Sequence, residues 1–240
     1  MTITEIEPTT AGGQQPGLRI FKELQQGTPE WLYQRCGIIT ASVVGQLITP
    51  KTVKPAANDY SRALVMHLAA ERITGYVEPT FTTADMERGN LSEPLARDKY
   101  AEHYAPVEEI GFMVRDFGWG KIGYSPDGLV GDDGLIEIKA PKQKKHLATI
   151  LADAVPLEYM AQCQTGLLVS GREWIDFISY NGGMPLWHKR VEPDPKWQTA
   201  IVDAARAAEE AIEDHVANYE KAVKGLPLTD RIDFYAEMDI

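Results

Sequence analysis

The chain is poor in the features that mark secreted and membrane-spanning proteins. Only two of its 240 residues are cysteines, Cys36 and Cys163. They show no disulfide-framework or metal-ligand spacing, so we expect two reduced thiols and a cytoplasmic protein. No apolar run approaches the roughly 20 residues of a membrane span. The polar start MTITEIEPTT also lacks a signal-peptide core. We therefore expect no membrane partner.

Positive charge is also scarce. The chain has 24 Lys and Arg against 35 Asp and Glu, a net charge of −11. This balance argues against a generic nucleic-acid coat, because nonspecific affinity comes from neutralising phosphates. It remains compatible with an enzyme that has a local basic track. The chain lacks an internal repeat, a P-loop, a zinc-ligand set and a Ser-His-Asp pattern, and its 44% hydrophobic content is ordinary for a globular protein.

The most informative stretch is residues 123–139, GYSPDGLVGDDGLIEIK. Its gap GDDG separates two short apolar runs, which is typical of a β-hairpin. Folding the chain back at this gap places Asp127 opposite Glu137, to within one residue of register. Because side chains alternate along a strand, Glu137 and Lys139 share one face while Ile138 points to the other. The pattern predicts that Asp127, Glu137 and Lys139 converge on one patch.

Such a patch has a chemical use. Two carboxylates that share an edge suit one or two hard cations such as Mg²⁺. A lysine beside them can orient or deprotonate a metal-bound water and stabilise developing negative charge. Pro126-Asp127 with Glu137-Ile138-Lys139 reads as the PD-(D/E)xK signature and resembles the nuclease superfamily of that name. The alternative is a solvated acidic hairpin, since an Asp followed by Glu-x-Lys occurs by chance in many chains.

A candidate anion site lies nearer the start of the chain. Thr28-Pro29-Glu30 predicts a short helix from Trp31 to Arg35. Ser42 is expected near the start of a second helix, where free backbone N–H groups attract anions. The guanidinium of Arg35 beside that helix end would form a phosphate clamp. The alternative is a capping serine and a surface arginine.

A third acid stands at a predicted helix break. The segment from about Ala84 to Tyr104 is helical in pattern but contains Pro94, which either opens a new turn or kinks the helix. Glu93, directly before this proline, would project into a cleft. The alternative is a surface glutamate beside Arg97.

Polar side chains also interrupt the apolar helix predicted over Glu158–Val169. Tyr159 and Gln162 are three residues apart and share a face. Gln164 lies on another part of the helix and needs a partner, either backbone or a metal-bound water.

Basic residues gather in two places. Lys142, Lys144 and Lys145 directly follow the strand of Lys139, where phosphate tracking and a solvated face are equally good interpretations. Lys51 and Lys54 lie in a predicted loop over Thr49–Asn58.

The remaining pattern predicts one nuclease domain over residues 18–225, with a disordered arm at 1–17 and an acidic tail at 226–240. Within the domain we expect strands over Val107–Arg115 and Arg172–Tyr180. The last long helix begins at Asp194-Pro195 and has an apolar stripe that faces either the core or a second subunit.

Four segments together resemble the phage lambda exonuclease family, also called the YqaJ viral recombinase family. They occur in the family's order between about Trp31 and Ala205, and they are RCGIITAS (35–42), GNLSE (89–93), SPDG (125–128) with EIK (137–139), and YMAQCQ (159–164).

The resemblance implies an α/β fold with a PD-(D/E)xK nuclease core, in which α-helices flank a mixed central β-sheet. It implies a Mg²⁺-dependent 5′→3′ exodeoxyribonuclease of the alkaline exonuclease type that digests one strand of linear double-stranded DNA. The product would carry a 3′ single-stranded overhang for recombination. Two Mg²⁺ ions, with Mn²⁺ as a substitute, would assist hydrolysis. The expected partners are DNA with a 5′-phosphate, two further copies in a homotrimeric ring and a single-strand annealing protein.

The resemblance also assigns the metal site by motif. Asp127 and Glu137 would be metal ligands, helped by the main-chain carbonyl of Ile138. Glu93 would hold the second metal or its waters. Lys139 would act on the attacking water.

Further roles follow from the same resemblance. Gln162, with Tyr159 beside it, would position the nucleophile or metal waters. Arg35 and Ser42 would bind the terminal 5′-phosphate, and Ser125 would support the metal site from behind its ligands.

Lysines outside the motifs do not align with the family, so their roles stay open. Two rivals remain: a PD-(D/E)xK endonuclease of restriction or repair type, and a non-catalytic DNA-end-binding protein.

Overall fold

The computed structural model describes residues 17–79 and 83–232. Within these ranges the chain forms seven α-helices and ten β-strands. The helices are α1 (Pro29–Arg35), α2 (Ala41–Val44), α3 (Asp59–Thr74), α4 (Ala84–His103), α5 (Gln143–Ala152), α6 (Leu157–Ser170) and α7 (Pro195–Ala222). The strands are β1 (Leu18–Phe21), β2 (Ile39–Thr40), β3 (Ile48–Thr49), β4 (Lys54–Pro55), β5 (Phe112–Asp116), β6 (Lys121–Tyr124), β7 (Gly128–Val130), β8 (Gly134–Lys139), β9 (Trp174–Ser179) and β10 (Trp187–Val191).

The strands build two mixed sheets of four in the described part of the chain. One has the order β1-β5-β6-β2 and the other β10-β9-β8-β7. Each contains one parallel pair, β2 with β6 and β8 with β9. The chain passes from the first sheet to the second through residues 125–127, where Pro126 has no N–H to continue a ladder. Helix α6 packs against strands of both sheets. The predicted α/β class is confirmed, with two sheets in place of one.

The predicted hairpin forms in the predicted register. Gly128 pairs with Ile136 and Val130 with Gly134, so one further step sets Asp127 opposite Glu137. The turn between the strands requires a residue at positive φ, and Gly131 supplies it at 54°. Arg172 closes the turn from the side, since its Nη1 donates to the carbonyls of Gly131 and Gly134 at 2.9 and 2.7 Å.

The strand expected over Val107–Arg115 begins later, at Phe112. Residues before it cross between the sheets. Glu108 exchanges two backbone hydrogen bonds with Leu129 of the hairpin, at 2.9 and 2.8 Å. Gly111 then lies so close to the main chain of Leu24 that a Cβ there would be 1.6 Å from the Leu24 oxygen. Residues 107–111 therefore contact two different partners, Leu129 and Leu24, and their alternating pattern does not belong to one strand. The predicted strand was wrong for these residues.

The loop expected over Thr49–Asn58 contains a small hairpin. Strands β3 and β4 pair with Thr49 opposite Lys54, and Val53 takes a positive φ of 53° between them. The hairpin packs against α7. Strands of two residues are too short for a periodicity to reveal them.

Helix α7 resolves the question that its apolar stripe left open. Trp197, Ile201, Ala208 and Ile212 are buried, so this part of the stripe faces the core and packs on α3. Toward the end of the helix, Tyr219 is exposed.

Most of the predicted arm and part of the predicted tail lie outside the described residues, which exclude 1–16 and 233–240 and so Phe234 and Tyr235. Their boundaries stay predictions. Within the described part of the tail, Arg231 Nη2 donates to the Thr74 carbonyl at 2.8 Å, at the end of α3. In the ranges 17–79 and 83–232, no helix has both the length and the apolar surface needed to cross a membrane.

Candidate active site

The β7–β8 hairpin brings three functional side chains together. Lys139 Nζ donates to Glu137 Oε1 at 2.6 Å, so the two side chains share a face as the strand alternation predicts. On the neighbouring edge, the backbone N–H of Ile138 donates to Asp127 Oδ2 at 2.5 Å. Glu137 is only 1% exposed. The backbone of the hairpin, and not a flexible loop, therefore fixes this cluster.

The direction of the Ile138 carbonyl follows from the strand pairing. Tyr180 N donates to the Lys139 carbonyl at 2.9 Å, so the main-chain groups of Lys139 point toward β9. Consecutive residues of a strand direct their N–H and C=O groups to opposite edges. The carbonyl of Ile138 therefore lies on the same edge as its N–H, which contacts Asp127.

Burial and neighbouring charges shift the pKa values of the side chains in this cluster. Burial raises the pKa of Asp127 well above its usual value, and the carboxylates of Glu137 and Glu93 raise it further. Burial lowers the pKa of Lys139, but the charges of Glu137 and Asp127 outweigh this and raise it above its usual value. Without a metal, Lys139 is therefore an ammonium ion that can donate hydrogen bonds.

Glu93 reaches the same cavity from α4, directly before Pro94. Burial raises its pKa, Arg97 lowers it, and the charge of Glu137 raises it again, which shows that the acids act on one another. Arg97, one turn further along the helix, donates from Nη2 to Glu93 Oε1 at 2.5 Å and from Nε to the Asp127 carbonyl at 2.8 Å. Both sequence interpretations of Glu93 are thus partly correct: it pairs with Arg97 and it lines the cavity.

Helix α6 supplies the predicted polar pair. Gln162 Nε2 donates to Glu137 Oε1 at 2.6 Å. The ring of Tyr159 stacks on Phe177 with a centroid separation of 5.3 Å, and Lys139 Nζ lies 5.7 Å from the centroid of the Tyr159 ring.

Gln164, on another side of α6, satisfies its amide with backbone. Its Nε2 donates to the Glu192 carbonyl and its Oε1 accepts from Asp194 N, both at 2.8 Å. Of its two predicted partners, backbone is the correct one.

The residues of the predicted phosphate clamp lie in contact with one another. Arg35 Nη2 donates to the hydroxyls of Thr40 at 3.2 Å and Ser42 at 3.3 Å, and these hydroxyls are 3.0 Å apart. The guanidinium lies over the Trp31 ring, 4.2 Å from its centroid. Burial lowers the pKa of Arg35, against the charge of Glu71. Helix α2 has only four residues. The predicted anion site therefore depends on the guanidinium and the hydroxyls rather than on a helix end.

One hydrogen bond connects the cluster of Arg35, Thr40 and Ser42 with the segment that leads into the β7–β8 hairpin. Trp31 Nε1 donates to Ser125 Oγ at 2.9 Å, and Ser125 is two residues before Asp127. Sequence reasoning did not select Trp31 or Thr40. A usable signal existed for both, since Trp31 is one helical turn before Arg35 and Thr40 lies two residues before Ser42.

Two of the three acids and three of the predicted basic residues line one cavity of about 900 Å³ that is open to solvent. Its wall includes Glu93, Asp127, Lys139, Lys142, Lys144 and Lys145. Lys145 Nζ donates to the Tyr159 hydroxyl at 2.9 Å, and Lys142 pairs with Asp85 at 3.0 Å. Lys51 and Lys54 belong to the β3–β4 region against α7 and lie outside the described lining of this cavity.

The residues present fit Mg²⁺. Three carboxyl groups and a main-chain carbonyl are oxygen ligands of the kind this ion prefers. Burial, and then the charges of neighbouring acids, raise the pKa values of Asp127 and Glu93, and a divalent cation would offset both costs. Over the described residues, no three acidic, His or Cys side chains form a ready-made metal site. Glu137 instead contacts Lys139 and Gln162, and Glu93 contacts Arg97.

Comparison with known proteins places this geometry in a family. The sequence profile of the YqaJ-like viral recombinase domain matches residues 30–173. An alkaline exonuclease, LHK-Exo from Laribacter hongkongensis, is similar in structure with a TM-score of 0.74 and 33% identity, over 83% of this chain and 100% of that one. Its complex with dAMP gives the same values. A phage-related exonuclease from Haemophilus somnus 129PT has a similar fold, with a TM-score of 0.59 and 14% identity over 76% of this chain and 96% of its own. No curated protein sequence matches this chain.

The profile match covers Arg35, Ser42, Glu93, the β7–β8 hairpin and Gln162 within a single span. The resemblance noted from the sequence is thereby confirmed. The chain belongs to the YqaJ-like viral recombinase family and is a deoxyribonuclease of the lambda exonuclease type.

Proposed function

We propose that this protein is a Mg²⁺-dependent 5′→3′ exonuclease that digests one strand of linear duplex DNA and leaves a 3′ single-stranded overhang. One observation carries the proposal. An acidic cluster around Asp127 and Glu137 is joined through the Trp31–Ser125 hydrogen bond to a cluster of Arg35 and hydroxyls that suits a terminal phosphate. Its similarity to an alkaline exonuclease at 33% identity supports the same activity.

In this proposal Asp127, Glu137 and the Ile138 carbonyl hold one Mg²⁺, and Glu93 holds the second ion or its waters. Bound Mg²⁺ supplies a Lewis acid and a water of lowered pKa at neutral pH, and Mn²⁺ substitutes for it. The fit of the acids supports this assignment, because a bound cation would offset both the burial of the Asp127 carboxylate and its repulsion by Glu137 and Glu93.

The neighbouring side chains orient the reactants. The ammonium of Lys139 is directed by Glu137 into the cavity, where it donates a hydrogen bond to the attacking water or stabilises the charge that develops on the phosphate. Gln162 fixes the other side of Glu137 Oε1 through its amide. Tyr159 sits beside Lys139 and limits its positions.

The clamp would set the direction of digestion, from the 5′ end of a strand toward its 3′ end. A terminal 5′-phosphate would replace the contacts that Arg35 now makes with the hydroxyls of Thr40 and Ser42, since a guanidinium binds phosphate through paired N–H groups. Ser125 supports the loop before Asp127 by accepting from Trp31. After each cut, the new 5′-phosphate would enter the same clamp and set the register for the next one.

Lys142, Lys144 and Lys145 follow β8 along the cavity wall, so we assign them to the DNA backbone. For Lys51 and Lys54, outside this lining, we propose contact with duplex DNA further from the cut.

The assembly would be a homotrimeric ring, which requires head-to-tail interfaces that close into a ring. Measuring the molecular mass of the protein in solution tests this proposal. A single-strand annealing protein would contact the tail at 226–240. Both cysteines are free thiols, in keeping with a cytoplasmic site of action.

End-labelled linear duplex tests the proposal directly. With Mg²⁺, the label at the 5′ end should be released as mononucleotide while the 3′ label stays on the strand. EDTA should stop the release of the 5′ label. Release from the 3′ end first would contradict the polarity. A closed-circular duplex provides the second arm, since cutting of the circle favours an endonuclease of restriction or repair type. Full digestion by Lys139→Ala would favour a non-catalytic role for this site.

A further inference from the structure

The guanidinium of Arg97 holds helix α4 against the segment before the β7–β8 hairpin and contacts three acceptors. Arg97 donates from Nε to the Asp127 carbonyl at 2.8 Å, and from Nη2 to Glu93 Oε1 at 2.5 Å. Its Nη1 lies 2.8 Å from Glu109 Oε2. The Arg97 side chain is 11% exposed, whereas that of Glu109 is 67% exposed. The two inner contacts thus reach residues that the proposed function assigns to the metals.

The geometry of these contacts is specific to arginine. A guanidinium is planar and presents five N–H donors at fixed angles, whereas a lysine ammonium is a single point of charge on a flexible stem. Only a fork of this kind holds a main-chain carbonyl and a carboxylate from two different elements at one fixed separation. Asp127 precedes β7 and Glu93 lies on α4, and no shared backbone fixes the distance between them.

We propose that Arg97 is a positioning residue that sets the spacing of Glu93 relative to Asp127 and thereby the affinity of the cavity for divalent cations. The inference rests on the proposed function, which makes these two residues metal ligands. Groups that orient metal ligands from behind typically contribute about 10- to 100-fold in metal affinity.

A purely electrostatic role for Arg97 predicts the opposite sign. A cation beside Glu93 repels divalent ions, so its removal would strengthen their binding. A positioning role predicts weaker binding after removal, because Glu93 and the Asp127 backbone would no longer be held at the spacing that both ions need. The direction of the change therefore separates the two roles.

Substitution of Arg97 should leave the fold intact, because α4 has other anchors. Arg88 Nη2 donates to the Ala140 carbonyl at 2.9 Å near one end of the helix, and Tyr100 donates to Asp176 Oδ2 at 2.6 Å near the other. Ala96 is fully buried against the sheet. Urea unfolding of each variant verifies that the native state persists.

The experiment measures Mn²⁺ binding to the DNA-free full chain by the electron paramagnetic resonance signal of free Mn²⁺. The variants are Arg97→Lys, which keeps the charge, and Arg97→Met, which removes it. Glu109→Gln is the matched control, because it removes the charge of only the outer, exposed partner of the same guanidinium. We expect the Mn²⁺ concentration for half-saturation to rise about tenfold or more in both Arg97 variants and to stay unchanged in the control. The Mg²⁺ concentration for half-maximal DNA hydrolysis should shift in parallel.

Unchanged or tighter Mn²⁺ binding in either Arg97 variant would overturn the inference. A normal value in Arg97→Lys alone would overturn it as well, because any cation at this position would then be sufficient and the planar guanidinium would not be needed. The wild-type chain separates this result from the proposed function. If wild-type protein binds Mn²⁺ but releases no nucleotides from linear duplex, the exonuclease proposal fails while the comparison of Mn²⁺ affinities still decides the role of Arg97.

Discussion

The indole N–H of Trp31 donates to the hydroxyl of Ser125 at 2.9 Å, and this bond joins two sites that lie far apart in the sequence. The guanidinium of Arg35 packs on the ring of Trp31. Ser125 is two residues before Asp127 in the chain. Arg35, where we propose that a terminal phosphate binds, is thus linked to the acidic cluster through two contacts.

Replacement of Trp31 by Phe tests this link. The ring that supports Arg35 is kept, but the donor to Ser125 is lost, at a cost of about 0.5–1.5 kcal/mol for one hydrogen bond. We expect turnover on 5′-phosphorylated duplex to fall about two- to tenfold, with DNA affinity nearly unchanged. Trp119→Phe, on a separate stacked pair with Phe117, is the control. Equal rates for wild type and Trp31→Phe would argue against coupling through this bond.

Lys139→Ala should nearly abolish hydrolysis and spare DNA binding. The ammonium contacts Glu137 inside the cavity, so its loss removes a donor from the reacting atoms. Loss of one such donor costs about 10²- to 10³-fold in rate. Single-turnover digestion gives the rate, and fluorescence anisotropy in EDTA gives the affinity. A variant that retains near-wild-type digestion would remove Lys139 from the chemistry.

Arg35→Ala should reduce the preference for 5′-phosphorylated over 5′-hydroxyl ends. A charge-assisted hydrogen bond contributes about 1.5–3 kcal/mol, so we expect the ratio of the two rates to shrink about tenfold or more. Arg62→Ala is the matched control, because that arginine pairs with Asp59 on the exposed surface of α3. Ser42→Ala should give a smaller shift in the same direction. A ratio that stays at the wild-type value would contradict the clamp.

Asp127→Asn should stabilise the metal-free protein. The folded-state pKa of Asp127 is raised, so its carboxylate form lowers the free energy of unfolding as pH rises from the ordinary Asp range through the folded-state pKa. A neutral Asn removes the cost of burying a charge and the repulsion from Glu137 and Glu93, and its amide oxygen can still accept from Ile138 N. We expect the free energy of unfolding at pH 7 in EDTA to be higher than that of wild type.

Urea unfolding in EDTA and in Mg²⁺ measures this effect. Mg²⁺ should stabilise wild-type protein and have little effect on Asp127→Asn, because stabilisation by a ligand requires binding to the native state. A metal-free variant less stable than wild type would show that the contacts of the Asp127 carboxyl outweigh the cost of burying its charge.

Tyr100→Phe should weaken the docking of α4. Asp176 is 1% exposed and accepts from Tyr100 at 2.6 Å and from Arg190 twice at 2.9 Å. Removing one donor from a buried carboxylate costs about 1–3 kcal/mol. Tyr60→Phe, at a tyrosine that is 75% exposed, should change the urea midpoint little. Similar midpoints for the two variants would mean that Arg190 alone satisfies Asp176.

The sequence predicted what depends on local periodicity. Strand alternation and the GDDG gap were sufficient for the register that sets Asp127 opposite Glu137, because the side-chain period of a strand and the length of its turn fix both. The spacing of Tyr159 and Gln162 likewise placed them on one helix face, although it did not indicate that the Gln162 amide contacts Glu137.

The features that the sequence did not predict depend on distant partners. Arg97 was noticed only as a neighbour of Glu93, because its bond to the Asp127 carbonyl joins residues 30 positions apart. Trp31 and Ser125 are 94 positions apart. The late start of β5 likewise reflects contact of Gly111 with Leu24, which no local pattern encodes.

Arg172, at the far end of the hairpin from the acids, has a consequence for their chemistry. Its two bonds to the turn carbonyls tie the loop to the segment that opens β9. A shift of β8 by one residue against its neighbours would break both bonds and exchange the two faces of the strand, so that the side chain of Ile138 would take the side now held by Glu137 and Lys139. An arginine at the opposite end of the hairpin would thus help to hold the register of Glu137 and Lys139.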